Sequence, residues 1–261
     1  MQAKRPRLAA AILAHNEAAD LAALLATLSF ADELVVADAG SSDDTAAVAA
    51  AAGARVIPVA NDLNFNVNKA RAVEACTSEW VVYLDPDERV SRALAAALRA
   101  AVADARAPYV AYDFPRRNNY FGRRLRFGGN YPDYQLRLFR RGRGRFPCRS
   151  VHERLIVDGP VGRLAAPLDH ETYPTVGAYL RKLPLFVAAG ADYLGRRGVR
   201  TGWAADVWYL ILRPPARFVR RWVFKLGVLD GWAGFLAAAL DAVQSALTYY
   251  EDRGRRGRAE P

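Results

Sequence analysis

The sequence predicts an α/β fold: a mainly parallel sheet with helices on both faces, followed by a helical C-terminal extension. Three observations carry this. Strand-length apolar runs alternate with helix-forming stretches through the first 115 residues. The runs are apolar at consecutive positions, the pattern of strands covered on both faces. From residue 204 onward the chain becomes aromatic, basic and helix-forming.

Each element follows from its residues. Leu8–Ala14 is an apolar run of strand length. Residues 18–28 place Leu21, Leu24, Leu25 and Leu28 at helical spacing. Glu33–Asp38 reads as a second strand ending in an acid. Ser41 or Ser42 is the expected cap of a helix reaching residue 52, with Asp43 and Asp44 in its first turn and Gly53 ending it. A third strand is expected over 55–59, a helix over 66–75, a fourth strand at Trp80–Leu84, a helix capped by Ser91 and a strand over 109–114. Further strand signals stand at 134–139 and 155–157. Residues 175–195 read as a helix, and the helical stretch from 204 is expected to break at Pro214-Pro215. The polar stretch from Glu251 is expected to fray.

Charge is unevenly placed. Residues 1–115 carry 10 Lys and Arg against 15 Asp and Glu, a net of −5; residues 116–261 carry 27 against 12, a net of +15. A basic half suits an anionic partner, whether phosphate, an acidic membrane surface or nucleic acid. No DNA or RNA module accompanies the basic residues, so nucleic acid is not expected. The two cysteines, Cys76 and Cys148, lack metal-ligand spacing and fit a reducing compartment. Lys4, Arg5 and Arg7 before Leu8–Ala14 mimic a signal peptide, but the polar His15-Asn16-Glu17 follows at once, so the run is read as a buried strand.

Polar residues gather where the expected strands end: His15-Asn16-Glu17 after the first, Asp38 on the second, Asp85 and Asp87 after the fourth. Parallel sheets bind ligands beyond these carboxyl ends. Two carboxylates one residue apart repel unless a cation sits near them, and a hard divalent ion shared with substrate phosphates resolves that repulsion. An acid ending the second strand often contacts a ribose or base. The dinucleotide fingerprint Gly-x-Gly-x-x-Gly is absent after the first strand, which argues against nicotinamide and flavin enzymes.

In order and spacing, Ile12-Leu13-Ala14-His15-Asn16-Glu17, Val35-Val36-Ala37-Asp38-Ala39-Gly40-Ser41-Ser42-Asp43 and Leu84-Asp85-Pro86-Asp87-Glu88-Arg89 resemble the nucleotide-sugar motifs of family 2 glycosyltransferases. Tyr131-Pro132-Asp133-Tyr134-Gln135-Leu136-Arg137-Leu138-Phe139-Arg140, Val151-His152-Glu153 and Leu229-Asp230-Gly231-Trp232 are similar to the branch that includes glucosyltransferases of lipopolysaccharide core synthesis. The resemblance implies a GT-A fold and an inverting transfer of a hexose, with glucose from a UDP-sugar as the guide, to a cell-envelope glycan or glycolipid. It implies Mg2+ or Mn2+ as cofactor. Asn16, Glu17, Asp38, Asn68 and Asp85 would hold the nucleotide sugar, Asp87 would bind the metal, and His170, in Leu168-Asp169-His170-Glu171, would add a late metal ligand.

The carboxylate that takes the acceptor proton is expected at Glu153 or Asp133, since the family's usual Glu-Asp pair is not evident; the His152 beside Glu153 tilts the choice toward Glu153. Asp133 has an alternative use as a partner of Arg137. Arg116, Arg117, Arg123, Arg124, Arg126, Arg137, Arg140, Arg141, Arg143 and Arg145 suit phosphate. On a helical wheel Arg213, Arg217, Arg220, Arg221 and Lys225 oppose Phe218, Trp222, Leu226 and Leu229, which reads as a membrane-surface helix. The expected location is the cytoplasmic, inner face of the membrane, with peripheral attachment to its anionic surface. The expected organisation is 1–115 for the nucleotide sugar, 116–172 for the acceptor side and 173–261 for the helical extension. Two rivals are a haloacid-dehalogenase-like phosphohydrolase, whose nucleophile motif also follows an apolar strand, and a non-catalytic membrane-surface scaffold.

Overall fold

A computed structural model describes residues 5–62, 64–148 and 155–257. It divides into two compact units, one of residues 1–116 with 133–170, the other of residues 117–132 with 171–261. Unit 1 carries 19 Lys and Arg against 19 Asp and Glu; unit 2 carries 18 against 8, so the whole net charge of +10 belongs to unit 2.

Unit 1 is built on a sheet whose core is four parallel strands. β1 (Leu8–Ala14) lies between β2 (Glu33–Asp38) and β4 (Trp80–Leu84), and β3 (Arg55–Pro58) flanks β2. The apolar runs are explained by two cores. Leu8, Ala10 and Ile12 with Trp80, Val82 and Leu84 face the helices α1 (Ala18–Leu25), α2 (Thr45–Ala51) and α4 (Arg92–Ala103). Ala9, Ala11, Val35, Ala37 and Val81 face α3 (Phe65–Ala75). Alternate side chains thus enter opposite cores, as strand geometry requires.

Beyond β4 the sheet is mixed. β5 (Glu88–Val90) follows the Asp85-Pro86-Asp87 loop, and the order continues from β4 through β8 (Asp133–Arg140), β6 (Ala111–Tyr120) and β12 (Leu168–Tyr173) to β5. β8 runs antiparallel to β4 and β6, β11 (Val161–Arg163) runs parallel to β6, and the short β9 (Gly144–Arg145) and β10 (Ile156–Val157) pair with each other. β6 begins at Ala111 and runs past the expected end at 114, because pairing with β8 as far as Arg116 and with β7 (Arg123–Arg124) at Asn119 and Tyr120 carries its polar residues into the sheet, a tertiary override of composition.

One expected cap forms and one does not. Ser91 caps α4 by accepting from the Leu94 N–H. Ser41 and Ser42 do not cap α2; Asp44 is its N-cap residue, and the Ser41 and Ser42 hydroxyls serve the neighbouring loop instead.

Unit 2 is mainly helical, with α5 (Val176–Arg196), a helical run Trp203–Phe224 and a last helix Gly231–Gly257. The run does not break at Pro214-Pro215. Wide π-type turns at Val207–Leu212 and Arg220–Phe224 flank the prolines, which occupy a first helical turn where a missing N–H costs little. The chain bends after Phe224 instead, where Leu226 is left-handed at φ 58°. There Gly234 is required, because a Cβ would collide with the Gly227 carbonyl oxygen. Asp230 accepts the N–H groups of Arg126 and Phe127 at 3.0 and 2.8 Å, which gives the Leu-Asp-Gly-Trp motif a structural task. The stretch from Glu251 is not frayed: the helix continues to Gly257, held by Arg255 on Asp192 and Arg256 on Asp252.

Candidate active site

The first loop is a hydrogen-bonded staple between the ends of β1 and β2. Asn16 is left-handed at φ 54°, a conformation that a short amide side chain tolerates. Its Oδ1 accepts from the Ser42 N–H at 2.7 Å, and its own N–H donates to Ser41 Oγ at 2.9 Å. Ser41 Oγ in turn donates to Asp38 Oδ1 at 2.5 Å. The Glu17 N–H donates to Thr45 Oγ1 at 2.9 Å, and that hydroxyl donates to Asp43 Oδ1. Asn16, Glu17 and Asp38 therefore stand in one connected loop system at the carboxyl edge of the sheet.

Asn68 projects from α3 and is buried. Its Nδ2 donates to the Ala60 carbonyl at 2.6 Å, while its Oδ1 is buried without a hydrogen-bond partner among the described residues. A buried acceptor left unpaired costs energy, so a ligand donor would be welcome there.

The fourth strand delivers Asp85 into a cluster of cations. Lys69 Nζ lies 2.6 Å from Asp85 Oδ1, and Arg137 Nη2 lies 2.8 Å from Asp85 Oδ2. The same Arg137 Nη2 is 2.7 Å from Glu88 Oε1. Glu88 is completely buried and closes the loop by accepting the Asp85 N–H at 2.9 Å. Arg137 also lies over the Tyr83 ring at 4.4 Å. Burial works to raise the Asp85 carboxyl, but Lys69 and Arg137 outweigh it and hold the group well below the usual carboxylate range. Burial raises the Glu88 carboxyl and Arg137 only partly opposes it. Asp85 is thus neutralised by protein cations.

Asp87 is placed differently. Its Oδ2 lies 3.3 Å from Nε2 of His170, whose strand β12 pairs with β5 so that His170 stands opposite Glu88. Both side chains are mostly buried, at 18% and 10% exposure. A carboxylate oxygen and an imidazole nitrogen at this spacing suit a first-row divalent ion. Among the described residues no group of three or more His, Cys, Asp or Glu is close enough to hold a metal. Phosphate oxygens and water would be able to complete the shell of an ion here, the usual manner of Mg2+.

Asp133 is gripped by Arg116, whose Nε and Nη2 lie 3.0 and 2.9 Å from Oδ2, and by Gln135 Nε2 at 2.7 Å from Oδ1. The expected pairing with Arg137 gives way to one with Arg116. Glu153 and its neighbour His152 lie outside the described residues. Several arginines considered for phosphate are otherwise engaged: Arg140 lies over Trp80 at 4.9 Å, and Arg141 and Arg143 donate to the carbonyls of Ser78 and Asp158.

Lys69 and Glu88 had no role in the sequence reading, which offered Arg137 to phosphate or to Asp133 rather than to Asp85 and Glu88. An available signal was the arginine inside the strand Asp-Tyr-Gln-Leu-Arg-Leu-Phe, because a buried guanidinium demands a carboxylate. The paired oxygens of Asp85 also disfavour a phosphohydrolase, which would need one of them free as nucleophile.

The glycosyl transferase family 2 model matches residues 10–160. The lipopolysaccharide core biosynthesis glycosyltransferase LpsC of Rhizobium meliloti (strain 1021) is 29% identical over 262 residues, covering 92% of this chain and 90% of LpsC. An uncharacterized glycosyltransferase of Rickettsia felis (strain ATCC VR-1525 / URRWXCal2) is 37% identical over 89 residues, which is 34% of this chain and 31% of that protein. Among solved structures, the mannosyltransferase PcManGT from Pyrobaculum calidifontis, in complex with GDP-Man and Mn2+, superposes with a TM-score of 0.54 at 14% identity, covering 95% of this chain and 87% of that one. The fold is of the GT-A type, and the chain belongs to the family 2 glycosyltransferases.

Proposed function

We propose that the protein transfers a hexose, with inversion, from a nucleotide-diphosphate sugar to a cell-envelope glycan such as lipopolysaccharide core, using Mg2+ or Mn2+. The observation that carries the reading is the 3.3 Å approach of Asp87 to His170 at the edge where Asn16, Glu17, Asp38 and Asp85 also stand. The LpsC likeness over most of both chains supports the acceptor class. A UDP-sugar is the donor proposed, with glucose as the sugar.

In this reading Asn16, Glu17 and Asp38 hold the base and ribose, with Asn68 Oδ1 accepting from the nucleotide. Asp87 and His170 would hold the divalent ion, which would neutralise charge on the leaving diphosphate. Asp85, fixed by Lys69 and Arg137, faces the donor as an oriented carboxylate rather than as a metal ligand. Glu153 takes the acceptor proton. Both oxygens of Asp133 are committed to Arg116 and Gln135, which makes that carboxylate the weaker base. A cavity of about 240 Å³ between Tyr83, Tyr134 and Gln135 offers aromatic walls to an acceptor sugar. The enzyme works at the inner face of the membrane, where such acceptors are assembled.

The test is donor binding followed by transfer. UDP-glucose with Mn2+ should raise the melting temperature more than either alone, and labelled hexose should move to purified lipopolysaccharide core. Absence of any shift with a panel of nucleotide sugars would reject the reading.

A further inference from the structure

The helical run Trp203–Phe224 is inside out. Its exposed positions are 203–204, 207–208, 211–212, 215–216, 219–220 and 223–224, pairs that recur every four residues; the wide π-type turns at Val207–Leu212 and Arg220–Phe224 lengthen the helical repeat toward that spacing, so the pairs form one face. That face includes Trp203 at 82% exposure, Phe224 at 78% and Ile211 at 63%, with Trp208 and Leu212 beside them. Arg220 is its sole charged residue. The other four charged residues of the run turn inward. Asp206 accepts from the Tyr249 hydroxyl at 2.9 Å and pairs with Arg253. Arg213 lies over Tyr209, and Arg217 and Arg221 both reach Asp241, at 2.7 and 3.3 Å. A helix surrounded by water puts its polar residues outward. This one turns Asp206, Arg217 and Arg221 onto the last helix and Arg213 onto its own Tyr209, and offers tryptophan, isoleucine and phenylalanine to its surroundings.

The wheel drawn from the sequence therefore divided the helix along the wrong line. Arg217 and Arg221 are not free for a surface, and Phe218 and Trp222 pack against Phe235.

We infer that this outward face is immersed in the acyl boundary of an anionic bilayer, with the helix lying along the membrane plane. The inference deepens the reading of a membrane-held acceptor and rests on it. Charge identifies the occupant. The unit carrying the face holds the chain's entire net charge of +10. Exposed cations stand at both ends of the face: Arg196, Arg197 and Arg200 before it, Arg220 and Lys225 at its far end. Anionic headgroups suit that arrangement, whereas a second copy would bring two units of +10 together. Tryptophan near an end of the face suits the headgroup level. No single described helix is long and apolar enough to cross a membrane, and the run with the following Gly227–Gly257 passes that test only as a pair bent by 75°. An in-plane helix needs no such length.

The experiment is co-sedimentation of the full chain with phosphatidylcholine vesicles with and without phosphatidylglycerol. A variant carrying Trp203→Ser, Ile211→Ser and Phe224→Ser together is compared with the parent, and donor-induced thermal shift is recorded for both. The parent should bind the anionic vesicles, with brominated acyl chains quenching its tryptophan fluorescence. The variant should keep its circular dichroism and donor shift and bind at least about a hundredfold more weakly, from loss of three buried apolar side chains. Equal vesicle binding by the variant would overturn the inference. So would a parent that ignores vesicles but sediments as a dimer that the variant dissolves, since the face would then join two copies. A missing donor shift in both proteins counts against the transferase reading alone.

Discussion

The Arg137 guanidinium lies 2.7 Å from the Glu88 carboxylate, with both side chains nearly sealed from solvent. Through the same nitrogen Arg137 reaches Asp85, and Glu88 accepts the Asp85 N–H. One buried ion pair thus fixes both the backbone and the side chain of the first aspartate of the Asp-Pro-Asp loop.

Removing one member strands the other. Arg137→Met leaves the Glu88 carboxylate without its main partner, and the expected cost is about 3–5 kcal/mol in equilibrium denaturation. Replacing both, as Glu88→Leu with Arg137→Met, should recover much of that stability while leaving donor affinity impaired, because Asp85 loses its anchor. A single Arg137→Met variant within about 1 kcal/mol of the parent contradicts the claim that the pair is isolated from water.

The base is separable by kinetics. Glu153→Gln is expected to lower kcat by about 10²- to 10⁴-fold with donor affinity retained. Asp133→Asn, which keeps the shape that Gln135 and Arg116 surround, should leave kcat within about tenfold of the parent. The opposite ranking in a steady-state transfer assay would move the base to Asp133.

Acid sensitivity is expected at Glu33. Burial works to raise its carboxyl, but hydrogen bonds from the Ser78 hydroxyl and the Thr77 and Ser78 N–H groups outweigh burial and leave it lowered. A lowered folded-state value means stability that is full above the unfolded value of about 4.3 and is lost as pH falls through the folded one. Glu33→Gln should therefore be less stable than the parent at neutral pH by about 1–3 kcal/mol, with the gap narrowing below pH of about 4. Melting curves across pH test this; a gap that is constant down to the acid limit contradicts it.

The parallel half of unit 1 was legible because its strands are continuous apolar runs and its polar residues fall at their ends. Asp85 and Asp87 could be located from spacing, but not told apart. Their partners come from β8 and β12, with Arg137 lying 49 residues from Glu88, and no local pattern announces such pairings. Ser41 looked like a helix cap because it precedes a helix; Asp38 and Asn16 compete for it once the strand ends are adjacent. Pro214-Pro215 looked like a break because periodicity does not show the wide turns on either side. For the run Trp203–Phe224, composition showed an amphipathic helix but could not say which face turns inward.

The most direct test of the whole account is Mn2+ binding followed by loss of the free-ion electron paramagnetic resonance signal, in the presence of UDP. The parent should bind Mn2+ weakly alone and much more tightly with UDP, since at the proposed site Asp87 and His170 would share the ion with diphosphate oxygens. Asp87→Ala and His170→Ala should each weaken binding with UDP by at least about tenfold, an effect that loss of even a supporting residue can produce. Undiminished Mn2+ binding in both variants would contradict the placement of the ion and the chemistry built on it.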